Sequence, residues 1–154
     1  MEKRIYYHDT DAGGIVYYGR YLNYLEEART QFLEKQGIDI NLFREKKFLY
    51  AVRKCTITYK SPARYGDTIV CDAHLIKLTA VQLVFKQEIH DKQSDRLILE
   101  AEVTIVSLNK DFKPTPIPEE ILSKLVVLAC GGCCSGRGGD GGSVGHGGQW
   151  WFRW

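Results

Sequence analysis

The stretch from Tyr6 to Tyr18 (Tyr-Tyr-His-Asp-Thr-Asp-Ala-Gly-Gly-Ile-Val-Tyr-Tyr) gathers the residue types best suited to chemistry. Two carboxylates, Asp9 and Asp11, stand just before the adjacent glycines Gly13 and Gly14, and apolar residues at helical spacing follow. The first N–H groups of an α-helix lack intrahelical acceptors, and the aligned peptide dipoles add about half a positive charge there. Such a tip attracts anions and steadies negative charge that develops during a reaction. Glycines let the backbone approach a ligand without a Cβ in the way. A carboxylate beside that pole can act as a general base or a nucleophile. The same residues also support a purely structural reading, because Asp is a favoured helix cap and an Asx-turn accounts for either carboxylate. The roles can be divided, with Asp9 as the cap and Asp11, nearer the glycines, as the reacting group.

The elements that must position these groups follow from periodicity. Residues 2–8 are rich in strand formers and predict a first strand. Tyr18, Tyr21, Leu25, Ala28 and Phe32 recur at steps of three and four, which predicts an α-helix over about 17–36, stopped by Gly37. Tyr17, Leu22 and Tyr24 widen its apolar stripe, so the helix should be buried on most sides, and residues 41–46 can add one helical turn. From residue 48 the pattern changes to long strands over 49–60, 68–77, 80–90 and 96–108. Pro118-Glu119-Glu120 opens a short last helix. Consecutive strands with short connections pair antiparallel, so the class is α+β.

The chain has 154 residues, which fits one domain. With 21 basic and 19 acidic residues the net charge is +2, against the concentrated basic excess of a nucleic-acid binder. The 44% hydrophobic content supplies a sizeable core, and no apolar run reaches the length of a membrane span. The opening residues show no secretory signal, so the expected compartment is cytoplasmic. Composition shifts near residue 126: the segment 126–154 holds ten of the 15 glycines and all three tryptophans. We therefore divide the chain into a domain at 1–125 and a Gly/Cys/Trp-rich tail at 126–154, expected to be flexible or artefactual. In the tail, Cys130, Cys133 and Cys134 offer half of a zinc site, but the lone His146 does not complete a second half, so no metal is expected. Cys55 and Cys71 lie in strand-like runs and read as free buried thiols.

The motif Tyr-x-Asp-Thr-Asp-Ala-Gly-Gly-Ile-Val-Tyr-x-x-x-Tyr closely resembles the hotdog-fold thioesterases of the 4-hydroxybenzoyl-CoA thioesterase type. Glu26, Ala28 and Arg29 on the predicted helix, Val52-Arg53-Lys54, Ser61-Pro62-Ala63-Arg64 and Glu100-Ala101 add to the likeness. It is nearest the Tol–Pal-associated (YbgC-like) branch and extends over about residues 2–122. The resemblance implies an antiparallel sheet of five or six strands wrapped around one long helix. It also implies hydrolysis of short-chain or aromatic acyl-CoA in a homodimer or dimer of dimers, with sites between subunits and no cofactor beyond the coenzyme A of the substrate. Asp11 matches the catalytic aspartate of the family, Tyr7 an active-site residue, and the Tyr18 N–H an oxyanion donor. The nearest branch often has histidine where this chain has Tyr18, which removes a possible proton donor. Gly13, Gly14, Val16 and Tyr17 are expected to line the substrate site. Glu26 matches a position that contacts an aromatic hydroxyl, although an exposed or interface ion pair explains it as well. The segment that often supplies arginines for the phosphates of CoA is Thr79-Ala80-Val81 here. Arg64 and Lys113, with Lys77 and Lys110, are the substitutes, each also readable as a solvated surface charge.

Two further classes compete. A non-catalytic hotdog module would bind acyl-CoA without turnover. A hotdog dehydratase would need an Asp/His pair, and His8, His74, His90 and His146 have no evident partner by sequence.

Overall fold

The computed structural model describes residues 1–127, and the cysteine, histidine and tryptophan expectations for the tail lie outside them. The chain forms β1 (Glu2–Arg4), a 3₁₀ turn (Tyr7–Asp9), α1 (Arg20–Lys35), α2 (Ile40–Lys46), β2 (Phe48–Tyr59), β3 (Thr68–Leu78), β4 (Gln82–Asp91), β5 (Leu97–Asn109) and α3 (Glu119–Leu122). The five strands make one antiparallel sheet in the order β1-β3-β4-β5-β2. β1 and β2 occupy opposite edges, so the chain between them crosses the sheet, and α1 makes that crossing.

The strand alternation sets the helix-facing side of the sheet. Ile69, Cys71 and Leu75 of β3, Leu83, Phe85 and Ile89 of β4, and Leu99, Val103 and Ile105 of β5 are buried. They form one core with Tyr21, Tyr24, Leu25, Ala28 and Leu33 of α1. Phe32 packs edge-on against Phe85, with ring centroids 5.5 Å apart. Each large apolar side chain removed from water there contributes about 1.5–3 kcal/mol. A β-bulge in β2 falls between Val52 and Lys54, so Arg53 has no partner in the β2–β5 register. Phe48, Tyr50 and Val52 precede it on even positions; Cys55, Ile57 and Tyr59 follow on odd ones. The extra residue keeps the two sets on one face.

Two boundaries differ from expectation, for identifiable reasons. The first strand ends at Arg4 rather than residue 8, because the Asp9 carboxylate accepts the Tyr6 N–H at 3.0 Å and closes the 3₁₀ turn. The helix begins at Arg20 rather than residue 17, because Tyr17 donates its N–H to the Asp9 carbonyl at 2.9 Å. The short turn expected at 41–46 is the helix α2, capped by Asp39, whose side chain accepts from the Asn41 and Leu42 N–H groups. No helix of the described residues is long and apolar enough to cross a membrane.

Candidate active site

Asp9 and Asp11 lie two residues apart and have opposite surroundings. Asp9 is 2% exposed. Its Oδ2 accepts from Tyr6, and its Oδ1 lies 3.5 Å from Arg20 Nε and 3.4 Å from His8 Nε2. Arg20 also donates to the His8 carbonyl. Burial pushes the Tyr24 phenol above its ordinary range, and the Asp9 carboxylate beside it adds to that shift. The expected cap role of Asp9 is corrected: the N-cap of α1 is Gly19 with no side-chain cap, and Asp9 instead ties the preceding turn to Arg20.

Asp11 sits exposed on the loop 10–16, which two bridges hold in place. Thr10 pairs with Val16, and Ile15 pairs with Arg64. The Asp11 N–H donates to the Ile15 carbonyl, and its own carbonyl accepts from Gly14. Its Oδ1 accepts the Gly13 N–H at 2.8 Å, an Asx-turn, while Oδ2 takes no hydrogen bond from the described residues. The carboxylate is thus oriented through one oxygen and open through the other. Gly14 sits at φ +75°, a left-handed conformation that costs other residues energy. A Cβ on Gly13 would stand 3.1 Å from Asp11 Oδ1, so the glycine leaves the carboxylate its room.

The loop runs into two exposed tyrosines whose rings lie 4.7 Å apart. The Tyr18 hydroxyl beside Tyr17 holds the Tyr17 phenol above its usual value. Tyr59 of β2 fixes the backbone here by donating its hydroxyl to the Tyr18 carbonyl at 3.0 Å. No acceptor among the described residues takes the N–H groups of Tyr18 and Gly19, which leaves them open ahead of α1.

The structure brings together Tyr7, Asp11, Gly13, Gly14, Tyr17, Tyr18 and Arg64. Tyr7 is tied to the loop by its carbonyl, which accepts from Thr10, and Arg64 by its bridge to Ile15. Val16 belongs to the same segment, but its side chain is buried and its N–H is taken by the Ala63 carbonyl. Glu26 lies two turns further along α1, exposed, where Thr30 donates to its carboxylate. Lys113 is not brought in. It follows the far end of β5, while the motif lies near the end where Tyr59 pairs with Leu99. Leu99 to Asn109 spans about 33 Å of strand. No cluster of potential metal ligands occurs among the described residues.

A second concave region escaped the sequence reading. A cavity of about 740 Å³ lies between α1, α2, β2 and β5, walled by Leu33, Phe43, Phe48 and Ile105 among others, with Glu26 and Arg29 from α1. Arg29 entered the sequence reading as part of the family likeness; the further signal was an arginine four residues from both Leu25 and Leu33, on the apolar face of the helix.

Comparison with known proteins places these features in a family. The sequence profile of the thioesterase-like superfamily matches residues 6–125. The acyl-CoA thioester hydrolase YbgC of Escherichia coli O6:H1 is 34% identical over 122 residues, covering 79% of this chain and 90% of the relative. The acyl-CoA thioesterase YbgC of Haemophilus influenzae is 30% identical over 119 residues, covering 77% and 87%. Among solved structures, the 1,4-dihydroxy-2-naphthoyl-CoA thioesterase of Synechocystis superposes with a TM-score of 0.74 at 22% identity, covering 80% of this chain and 92% of that one.

Proposed function

This chain belongs to the thioesterase-like superfamily, and on that premise we propose that it hydrolyses acyl-CoA thioesters with Asp11 as the reacting carboxylate. Its sheet and central helix are the hotdog fold, and it is an acyl-CoA thioester hydrolase like its YbgC relatives. The observation that carries the assignment to Asp11 is the division of labour between the two carboxylates. Asp9 is buried and engaged on both oxygens, whereas Asp11 is exposed, oriented through Oδ1 and open through Oδ2.

In this reading the thioester carbonyl oxygen lies against the open Tyr18 N–H, where one oriented donor lowers the barrier by about 3–4 kcal/mol. Asp11 supplies the base or the nucleophile. As a base it takes a proton from water, whose oxygen bonds to the carbonyl carbon while the C–S bond breaks and coenzyme A leaves as the thiol. As a nucleophile it forms a mixed anhydride that water then opens. Single-turnover hydrolysis in heavy-oxygen water separates the two, because the label enters the acid product directly in the first and Asp11 or the acid in the second. Tyr7 and Tyr17 flank the reacting group, Gly13 and Gly14 admit the thioester, and Arg64 faces the phosphates of the coenzyme. No step is routed through a metal or a further cofactor.

A homodimer completes the reading. β2 is an edge strand of twelve residues, and Leu49, Val52 and Tyr59 on it stay about half exposed. A long unpaired edge with apolar side chains recruits another strand, and the same β2 of a second copy is the partner we assign to it. Release of free CoA, followed with a thiol reagent over short-chain and aromatic acyl-CoA substrates, tests the function. Wild type should turn over and Asp11→Asn should not; inactivity of wild type across the whole panel would overturn the reading, and equal activity of the two would remove Asp11 from it.

A further inference from the structure

We infer that Arg29 is a specificity residue and that the α1–β2 cavity receives acyl groups carrying a carboxylate at the end remote from the thioester; this deepens the hydrolase reading above and rests on it. Arg29 is about nine-tenths buried. Its guanidinium carries five N–H donors, yet the described residues take one hydrogen bond from it, from Nη1 to Gln87 Oε1 at 2.8 Å. Gln87 is fully buried and donates onward to the Leu25 carbonyl, so the arginine is held in place from behind. No carboxylate among the described residues comes within ion-pair distance of it. The groups acting on it electrostatically are the Cys55 and Cys71 thiols and the Glu26 carboxylate, which is beyond ion-pair distance and accepts the Thr30 hydroxyl through Oε1.

A buried cation without a paired anion is costly, and a planar guanidinium with free donors matches a carboxylate by two parallel hydrogen bonds. Arg29 lines the cavity, whose walls are mainly apolar. The hydroxyl of Tyr50, another lining residue, is buried without a partner. Charged lining residues are four basic (Arg29, Arg44, Lys47, Lys110) against three acidic (Glu26, Glu34, Asp39), and Asp39 is engaged in capping α2. An apolar chamber with a few fixed polar groups is the usual form of a small-molecule site.

The reach also fits. Arg29 lies nine residues beyond the start of α1, about 14 Å along the axis. Leu22 and Glu26, four residues apart on α1 and both exposed, lie on one helix face between the open N–H groups and the cavity, which Glu26 lines. A medium-length acyl chain spans such a distance with its thioester at the helix tip and its far end at Arg29.

The test compares hydrolysis of adipoyl-, suberoyl- and sebacoyl-CoA with that of hexanoyl-, octanoyl- and decanoyl-CoA by the full chain. Wild type should favour the carboxylate-ended member of the best pair by about tenfold to a hundredfold in kcat/KM. Arg29→Met should collapse that ratio, and Arg29→Lys, which keeps the charge but loses the fork, should restore part of it. The ratio is insensitive to the fraction of folded enzyme, and the wild-type preference stands as a test even if both variants fail to fold. Equal or better turnover of the methyl-ended series by wild type would overturn the role of Arg29 while leaving the hydrolase intact. Lack of turnover of every substrate would instead count against the hydrolase; suberate binding to wild type, read as a rise in melting temperature, would then still support the Arg29 site, and no shift would overturn it.

Discussion

The 3₁₀ turn at Tyr7–Asp9 and the loop at 10–16 adjoin in sequence and treat a carboxylate in opposite ways. In the turn, the carboxylate is buried, and its oxygens are committed to Tyr6, His8 and Arg20. In the loop, a single intraloop hydrogen bond orients the carboxylate and leaves half of it facing outward. Two aspartates of identical intrinsic chemistry are therefore set apart by what their neighbours donate: one is a buried structural post, the other an exposed carboxylate with one oxygen free for the chemistry proposed for it. Burial and partner number, not residue type, make the two carboxylates differ.

Mutations can break or sharpen that contrast. Asp11→Asn should lower kcat by about a thousandfold while leaving the urea midpoint unchanged, because it removes the proposed base or nucleophile from an exposed loop. Asp9→Ala should do the reverse at first sight, costing about 2–3 kcal/mol of stability in urea titration by stranding Arg20 and the Tyr6 N–H. Equal kinetic losses without unfolding for both would erase the distinction. Gly14→Ala should cost about 1 kcal/mol, since the position is left-handed and has open space around a Cβ, so only backbone strain acts. Gly13→Ala should be the mildest, lowering kcat by about three- to tenfold with little change in melting temperature, as the new methyl presses on Asp11 Oδ1. A Gly13→Ala enzyme with full activity would show that the Asx-turn does not set the working orientation.

Much of the fold was legible in the chain. The alternation through Ile69, Cys71 and Leu75, and through Leu83, Phe85 and Ile89, gave the strands and their buried face, since period two has one geometric meaning. The helix was legible from Tyr21, Leu25 and Ala28, but its start was not. Tyr17 and Tyr18 continue the apolar rhythm, and only the bond from the Tyr17 N–H to the Asp9 carbonyl shows that the rhythm outruns the helix. The role of Asp9 failed for a related reason: spacing places a carboxylate near several N–H groups and does not say which one it meets. The motif loop could be located from its carboxylates and glycines, whereas the cavity could not. Its walls come from α1, α2, β2 and β5, residues such as Arg29, Phe43, Tyr50 and Ile105 that only the folded chain makes neighbours.

The bulge in β2 separates pattern from shape. Arg53 is the one residue of that strand without a cross-strand partner, so its deletion would leave every inward side chain facing inward. What would be lost is the bend: a straightened ribbon could not follow both Phe43 at one end and Tyr18 at the other. Removing a residue away from the bulge would instead invert the facing of the residues between the cut and the bulge. Strand length is therefore tolerant at the bulge, and what the extra residue there encodes is curvature.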